Sequence, residues 1–493
     1  MKKTILTGVS VFALGLAAPA LAQENKSNVN QSGDDNAAEV SQSSQKNVSN
    51  VNQRGDENAA QVSQTRERNN SNVFQDGDLN SAAVAQGGRD GSSNVEQTGT
   101  NAASVVQGSA TRDAVSRVRQ NGDDNSAQVV QDRGRDVASY VSQTGSDQSA
   151  AVFQSGTNNS SAISQSQNTN SASVSQLAHD NTSNIQQSGE DGVVEVFQSD
   201  EDNNSYVRQE ANSDRSEVFV VQSGDNNRST VIQDDDDSST THNQGGNRNV
   251  AYTDQGSSDS VSTINQSGNR NEASVVQGDV SEGQSSLIDQ SGDDNKAQVA
   301  RQGVDFQGPS GDDNNSSVIV QSGNRNVGYV RQDAGDSTHS LNQSGHRNYS
   351  ATVLGDASEA GDSTFRVPSG SSATISQIGD DNRSNITSAG DDSSVFVSQL
   401  GDDNISSVVQ YAGGANNTAL VAQNGNRGEA SIRQNGSDNT AELFQSGGFN
   451  RTWITQTGNL NTASVAQGGR GNASSISQNG DGNSAVVSQN AGF

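Results

Sequence analysis

The sequence predicts an all-β fold: a two-strand-per-rung β-solenoid, stacked in cross-β fashion from about twenty 22-residue repeats. Three observations predict it. Glutamine recurs every eleven residues, an aliphatic residue stands two positions before nearly every such glutamine, and short clusters rich in Gly, Asp and Asn separate the units.

The chain begins with a segment that reads as a secretory signal over residues 1–22. Lys2 and Lys3 form the basic start, an apolar run follows from Val9 to Leu16, and Ala20-Leu21-Ala22 offers a small-residue cleavage site between Ala22 and Gln23. The run is too short to span a bilayer, so export without membrane insertion is expected.

The strands follow from the register. Gln31, Gln42, Gln53, Gln64, Gln75 and Gln86 open a series of 41 slots ending at Gln489, of which 38 hold Gln; Leu354, Val367 and Ser388 fill the others. Two positions earlier stand Val29, Val40, Val51 and Val62, and 36 of the 41 slots are Val, Ile or Leu. His242, Thr253, Ala300, Thr352 and Phe365 are the exceptions. Apolar residues make up 28% of the chain, so chance would fill about 11 of 41. Ser or Ala is usual four before the slot, and Asn six before it, as in Asn36, Asn47 and Asn58. A period of two over seven residues is a strand with one face specified and the other free.

Four-residue corners such as Ser32-Gly33-Asp34-Asp35 and Arg54-Gly55-Asp56-Glu57 complete each unit. Gly33, Gly55 and Gly77 supply the positive φ such corners need, and Asp or Asn is expected to bond to its own backbone. One rung cannot bury its Val face alone, so neighbours must stack and align Val, Asn and Gln in axial ladders. An amide can both donate and accept along the axis, whereas a carboxylate would meet a like charge one strand spacing away.

Composition by itself points to disorder: 28% hydrophobic, 4% aromatic, and a formal charge of −29 that becomes −31 without Lys2 and Lys3. The register overrides that inference. The charge argues against nucleic acid or anionic membranes as partners. The chain has no cysteine, which excludes disulfides and thiolate metal sites. No catalytic constellation and no cofactor motif stand out from the repeat.

Gln31-x-Gly33-x-x-Asn36-x-Ala38-x-Val40-x-Gln42 resembles the curlin repeat, the building block of curli fibres on Gram-negative bacteria. The pattern recurs at Gln120-x-Gly122-x-x-Asn125-x-Ala127, Gln266-x-Gly268-x-x-Asn271-x-Ala273 and Gln456-x-Gly458-x-x-Asn461-x-Ala463. The resemblance implies a secreted fibre subunit that polymerises on the cell surface and serves adhesion and biofilm. Its implied partners are further copies of itself, a nucleator subunit and outer-membrane secretion machinery. Asn25, Asn47 and Asn69 stand where curlin subunits usually carry Ser, and about twenty repeats exceed the usual handful. On this reading curlin-like repeats fill residues 23–302, 315–354 and 377–493. The segments 303–314, with Pro309, and 355–376, with Pro368, interrupt them as bulged loops and candidate seams.

Other features have plain readings. Acidic corners such as Gly292-Asp293-Asp294-Asn295 and Asp234–Asp237 suggest Ca²⁺ when stacked, but solvated turns are favoured because the nine-residue calcium repeat is absent. Arg248, Arg270, Arg325 and Arg347 occupy matching corners, either offsetting acidic neighbours or serving as ordinary surface charge. Arg54-Gly55-Asp56 is one corner variant among forty, and His179, His242, His339 and His346 have no ligand spacing. His242, in an inner slot, marks a weak rung. Phe74, Phe153, Phe197 and Phe444 point outward, as lateral contacts between fibres or simply as tolerated exposure. The register opens at Asn25 and only Asn490 to Phe493 follow the last Gln, so uncapped ends are expected to template end-to-end growth. The alternative is a monomeric β-solenoid acting as a surface adhesin or as a surface or ice binder.

Overall fold

A computed structural model describes residues 24–278, 282–302, 314–333, 335–355 and 369–490. The leader with Ala22 and Gln23, Pro309, and the segment holding Phe365, Val367 and Pro368 lie outside these residues.

Among the described residues forty strands, numbered here in chain order, alternate between two parallel sheets. β1 (Lys26–Ser32) pairs with β3 (Val48–Arg54), placing Val29 beside Val51 and Gln31 beside Gln53. β2 (Ala37–Gln42) pairs likewise with β4 (Ala59–Gln64), placing Val40 beside Val62. The step repeats as far as β39 (Ala473–Asn479) and β40 (Ser484–Asn490), so odd strands build one sheet of twenty and even strands the other. Two strands and two corners therefore make each turn of the solenoid. Side chains alternate, as period two requires: in β4, Ala60, Val62 and Gln64 are buried while Ala59 and Gln61 are exposed.

The ladder passes both interrupting segments in register. Gln290 Nε2 donates to Gln321 Oε1 at 2.8 Å across a sequence separation of 31, and Gln343 Nε2 to Gln377 Oε1 at 2.8 Å across 34. The Ala300 exception dissolves at a bulge in β25 (Lys296–Gln302). Val299 takes the inner place beside Val275 and Val330, and Ala300 pairs with the outward Arg331.

The buried aliphatic side chains form two clusters, one from Val51 to Val231 and one from Ala251 to Ile476. They part at β20 (Ser239–Gly245) and β21 (Val250–Gln255), where buried Thr240, His242 and Thr253 stand in inner positions. The expected weak rung at His242 is thus the discontinuity in the apolar core.

Candidate functional site

The site is the set of axial ladders, because they run the length of the rod and reach both ends. In the glutamine rails, Gln31 donates to Gln53, Gln53 to Gln75 and Gln75 to Gln97, at 2.7, 2.8 and 2.9 Å. On the other sheet Gln42 donates to Gln64 and Gln64 to Gln86, at 2.7 and 2.8 Å. The second amide proton crosses the core: Gln53 Nε2 meets Ala37 O at 3.0 Å and Gln64 Nε2 meets Val48 O at 3.0 Å. Each rail amide therefore joins its own sheet axially and ties it to the opposite sheet. That double use explains why a polar side chain occupies a fully buried slot.

The asparagines close the corners. Asn58 donates its backbone N–H to Asn36 Oδ1 at 3.0 Å, and its Nδ2 donates to Gly77 O at 2.7 Å. Asn47 N meets Asn25 Oδ1 at 2.9 Å, and Asn69 N meets Asn47 Oδ1 at 2.9 Å, so the same polarity holds on both sheets. Glycine is required at these corners by stacking as much as by torsion. Gly33 and Gly55 have φ of +115° and +96°, and a Cβ there would lie 2.0 and 2.2 Å from the carbonyl oxygen of the next rung's glycine. Gly77, at φ +125°, has the same geometry against Gly99.

Two corner roles were not visible in the sequence. The residue after the glycine was expected to bond to its own backbone, but its carboxylate caps the preceding rung. Asp56 Oδ1 accepts from Asp34 N, and Asp78 Oδ1 from Asp56 N, both at 2.7 Å. Asn247, Asn269 and Asp293 continue the same device. Part of the acidity of this chain is therefore a ladder of backbone caps. The residue before most corner asparagines adopts a left-handed conformation, as at Asp35, Glu57 and Leu79 with φ of 54°, 56° and 60°. The recurrence of Asp at that position is the signal that could have revealed it.

Arginines at that left-handed position pair with aspartates one rung on. Arg270 Nε reaches Asp294 Oδ1 at 2.7 Å, and Arg347 Nε reaches Asp381 Oδ1 at 2.7 Å. The guanidinium bonds hold both aspartates below the usual carboxylate range. These pairs are exposed and contribute little individually. Arg248 and Arg325 sit at equivalent corners without a carboxylate partner among the described residues.

Where the rail departs from Gln, Leu354 is fully buried and Ser388 Oγ donates to Gln410 Oε1 at 2.7 Å. Among the described residues no cluster of His, Asp and Glu has the arrangement of a metal site.

Two parallel sheets stacked by repeating ladders define a structural β-solenoid. Residues 67–99, 436–469 and 461–490 match the curlin associated repeat. That repeat family is structural, not enzymatic. No curated protein matches the chain.

Proposed function

We propose that the protein is a secreted structural subunit of curli-like functional amyloid fibres, serving adhesion and biofilm matrix at the surface of a Gram-negative cell. One observation carries the reading: the ladders have a direction, and their two ends are complementary. At the Lys26 end, among the described residues, Gln31 and Gln42 offer Oε1 without an axial donor, and Asn36 offers its backbone N–H. At the opposite end Gln478 and Gln489 each hold one amide proton on a backbone carbonyl and keep the other, while Asn472 and Asn483 present Oδ1. The outer edges of β1 and β40 are likewise unpaired among the described residues. Stacking a second rod in the same direction satisfies all of these groups. A heterologous contact that does not close on itself yields a filament.

A nucleator subunit and outer-membrane export machinery are the partners this reading calls for. Incubating the mature chain with an amyloid dye while imaging it tests the proposal. Unbranched, dye-positive fibres are expected, and their growth should accelerate as pH falls toward the isoelectric point of about 4.3, because self-repulsion fades. Single soluble rods without dye response would leave the monomeric adhesin as the better reading.

A further inference from the structure

The two outer faces of the rod differ in chemistry. Outward positions lie one, three and five residues before each rail slot. On the odd sheet these positions hold every tyrosine found in a strand, together with Trp453 and many Lys and Arg residues. On the even sheet the same positions hold no Lys or Arg in any strand. The acids there are Glu39, Glu195, Glu217, Asp289 and Glu442.

At these positions two stretches of at least five consecutive even strands hold no charged residue, and in β10 (Asn125–Arg135) the exposed Arg133 and Arg135 come only after the rail slot, toward the corner. The first extends from β6 (Ser81–Gln86) to β14 (Ser171–Gln176), the second from β26 (Ser316–Asn324) to β34 (Thr418–Asn424). Their outward residues are Ser, Thr, Ala, Gln and Asn, interrupted by aligned apolar side chains. Val106, Val130 and Phe153 are successive neighbours in the first patch, and Phe396 pairs with Leu420 in the second. Val106, Phe153 and Phe396 are 36%, 39% and 42% exposed.

A rod with a formal charge of −29 repels its copies over most of its surface. Close contact over these two patches desolvates no charge at the outward strand positions, and the acids at those positions between the patches are confined to Glu195, Glu217 and Asp289. With strands about 4.8 Å apart and about 20 Å of width, five strands present roughly 500 Å², and both patches about 1,000 Å² per copy. That exceeds the about 800 Å² per partner typical of a specific interface. Small hydroxyl and methyl groups between aromatic knobs suit the dry interdigitation of two sheets stacked about 10 Å apart.

We propose that the even face is a lateral docking surface for a second copy of this chain, even face against even face. The pairing is a property of the rod and stands whether or not rods join end to end.

The test compares F153K/F396K with the odd-face control Y140K/W453K. All four side chains point outward and take no part in the ladders, and circular dichroism verifies that each variant stays folded. Mass per length of fibres is then measured by scanning transmission electron microscopy. Wild type and control are expected to contain two rods per cross-section, and F153K/F396K one. A single rod in wild-type fibres, or two in F153K/F396K, overturns the proposal. Should no fibres form, sedimentation equilibrium of soluble rods decides. A wild-type dimer that F153K/F396K converts to monomer supports the face, and monomeric wild type overturns it. Loss of fibres alone therefore refutes end-to-end assembly without touching lateral pairing.

Discussion

His242 Nε2 lies 2.8 Å from Thr253 Oγ1, and its Nδ1 lies 2.8 Å from Ser229 Oγ, so one imidazole bridges the core where the aliphatic ladder is interrupted. Val220 precedes it and Ile264 follows it in its own sheet, and among the described residues no charged group acts on the ring. Thr253 Oγ1 extends the chain of hydroxyls to Ser262 Oγ at 3.0 Å.

Acid should loosen this rung. Burial pushes His242 down to about 3, and His339 likewise to about 3, from an unfolded value near 6.5. The fold holds the neutral ring, so stability is full above pH 6.5 and declines as pH falls from there toward 3. By about pH 5 each ring withdraws on the order of 2 kcal/mol. Thermal melting of H242V/T253V between pH 7 and 5 should decline less than that of wild type. Equal slopes would sink the assignment. The expected acceleration of association near the isoelectric point acts on the same axis in the opposite sense.

A carboxylate in the glutamine rail should be far worse than an aliphatic side chain. Gln64→Glu removes both donors, leaving Val48 O and Gln86 Oε1 unsatisfied beside a buried charge. A loss of about 3–5 kcal/mol is expected. Gln64→Leu leaves the same acceptors but no charge, as Leu354 does natively. Denaturant midpoints should rank wild type above Leu and Leu well above Glu.

Gly55→Ala should open a corner. The methyl group would stand 2.2 Å from Gly77 O at φ +96°, and the neighbouring rung leaves it no room. A cost of about 2–3 kcal/mol is expected, read as faster amide exchange at Gly55 and Gly77.

Removing a buried hydroxyl should do the reverse. Ser49, Ser71, Ser93 and Ser116 stack along the inner face of the odd sheet, each with an unpartnered Oγ. Ala251 and Ala273 occupy the same column further along. Ser71→Ala is expected to be neutral or stabilising by up to about 1 kcal/mol, checked by chemical denaturation. A clear destabilisation would mean the hydroxyl has a partner.

The strands, their inward faces and the two amide rails were legible because period two and period eleven are properties of the chain itself. Gln31 and Gln42 pair in register with Gln53 and Gln64, and Val29 and Val40 with Val51 and Val62, although Val29, on the terminal strand, is exposed. The corners were read only in part. Glycine is intelligible from torsion alone, but the carboxylates of Asp56 and Asp78 act on a backbone 22 residues away, and local turn chemistry assigns them to the wrong partner. Spacing also could not place the Val299 bulge, because a one-residue slip is decided by which side chain fits between Val275 and Val330.

The sequence by itself determined that this chain stacks, because a rung with one apolar position per strand cannot bury it alone. Only the tertiary structure decided which residues share a surface. Odd and even units are interleaved along the chain, so the sorting of Arg and Tyr to one face and of uncharged Ser, Thr and Phe patches to the other emerges only when alternate strands separate into two sheets. The direction of the ladders is decided there too, since an amide's donor and acceptor ends acquire an axis only when the next rung lies on one side.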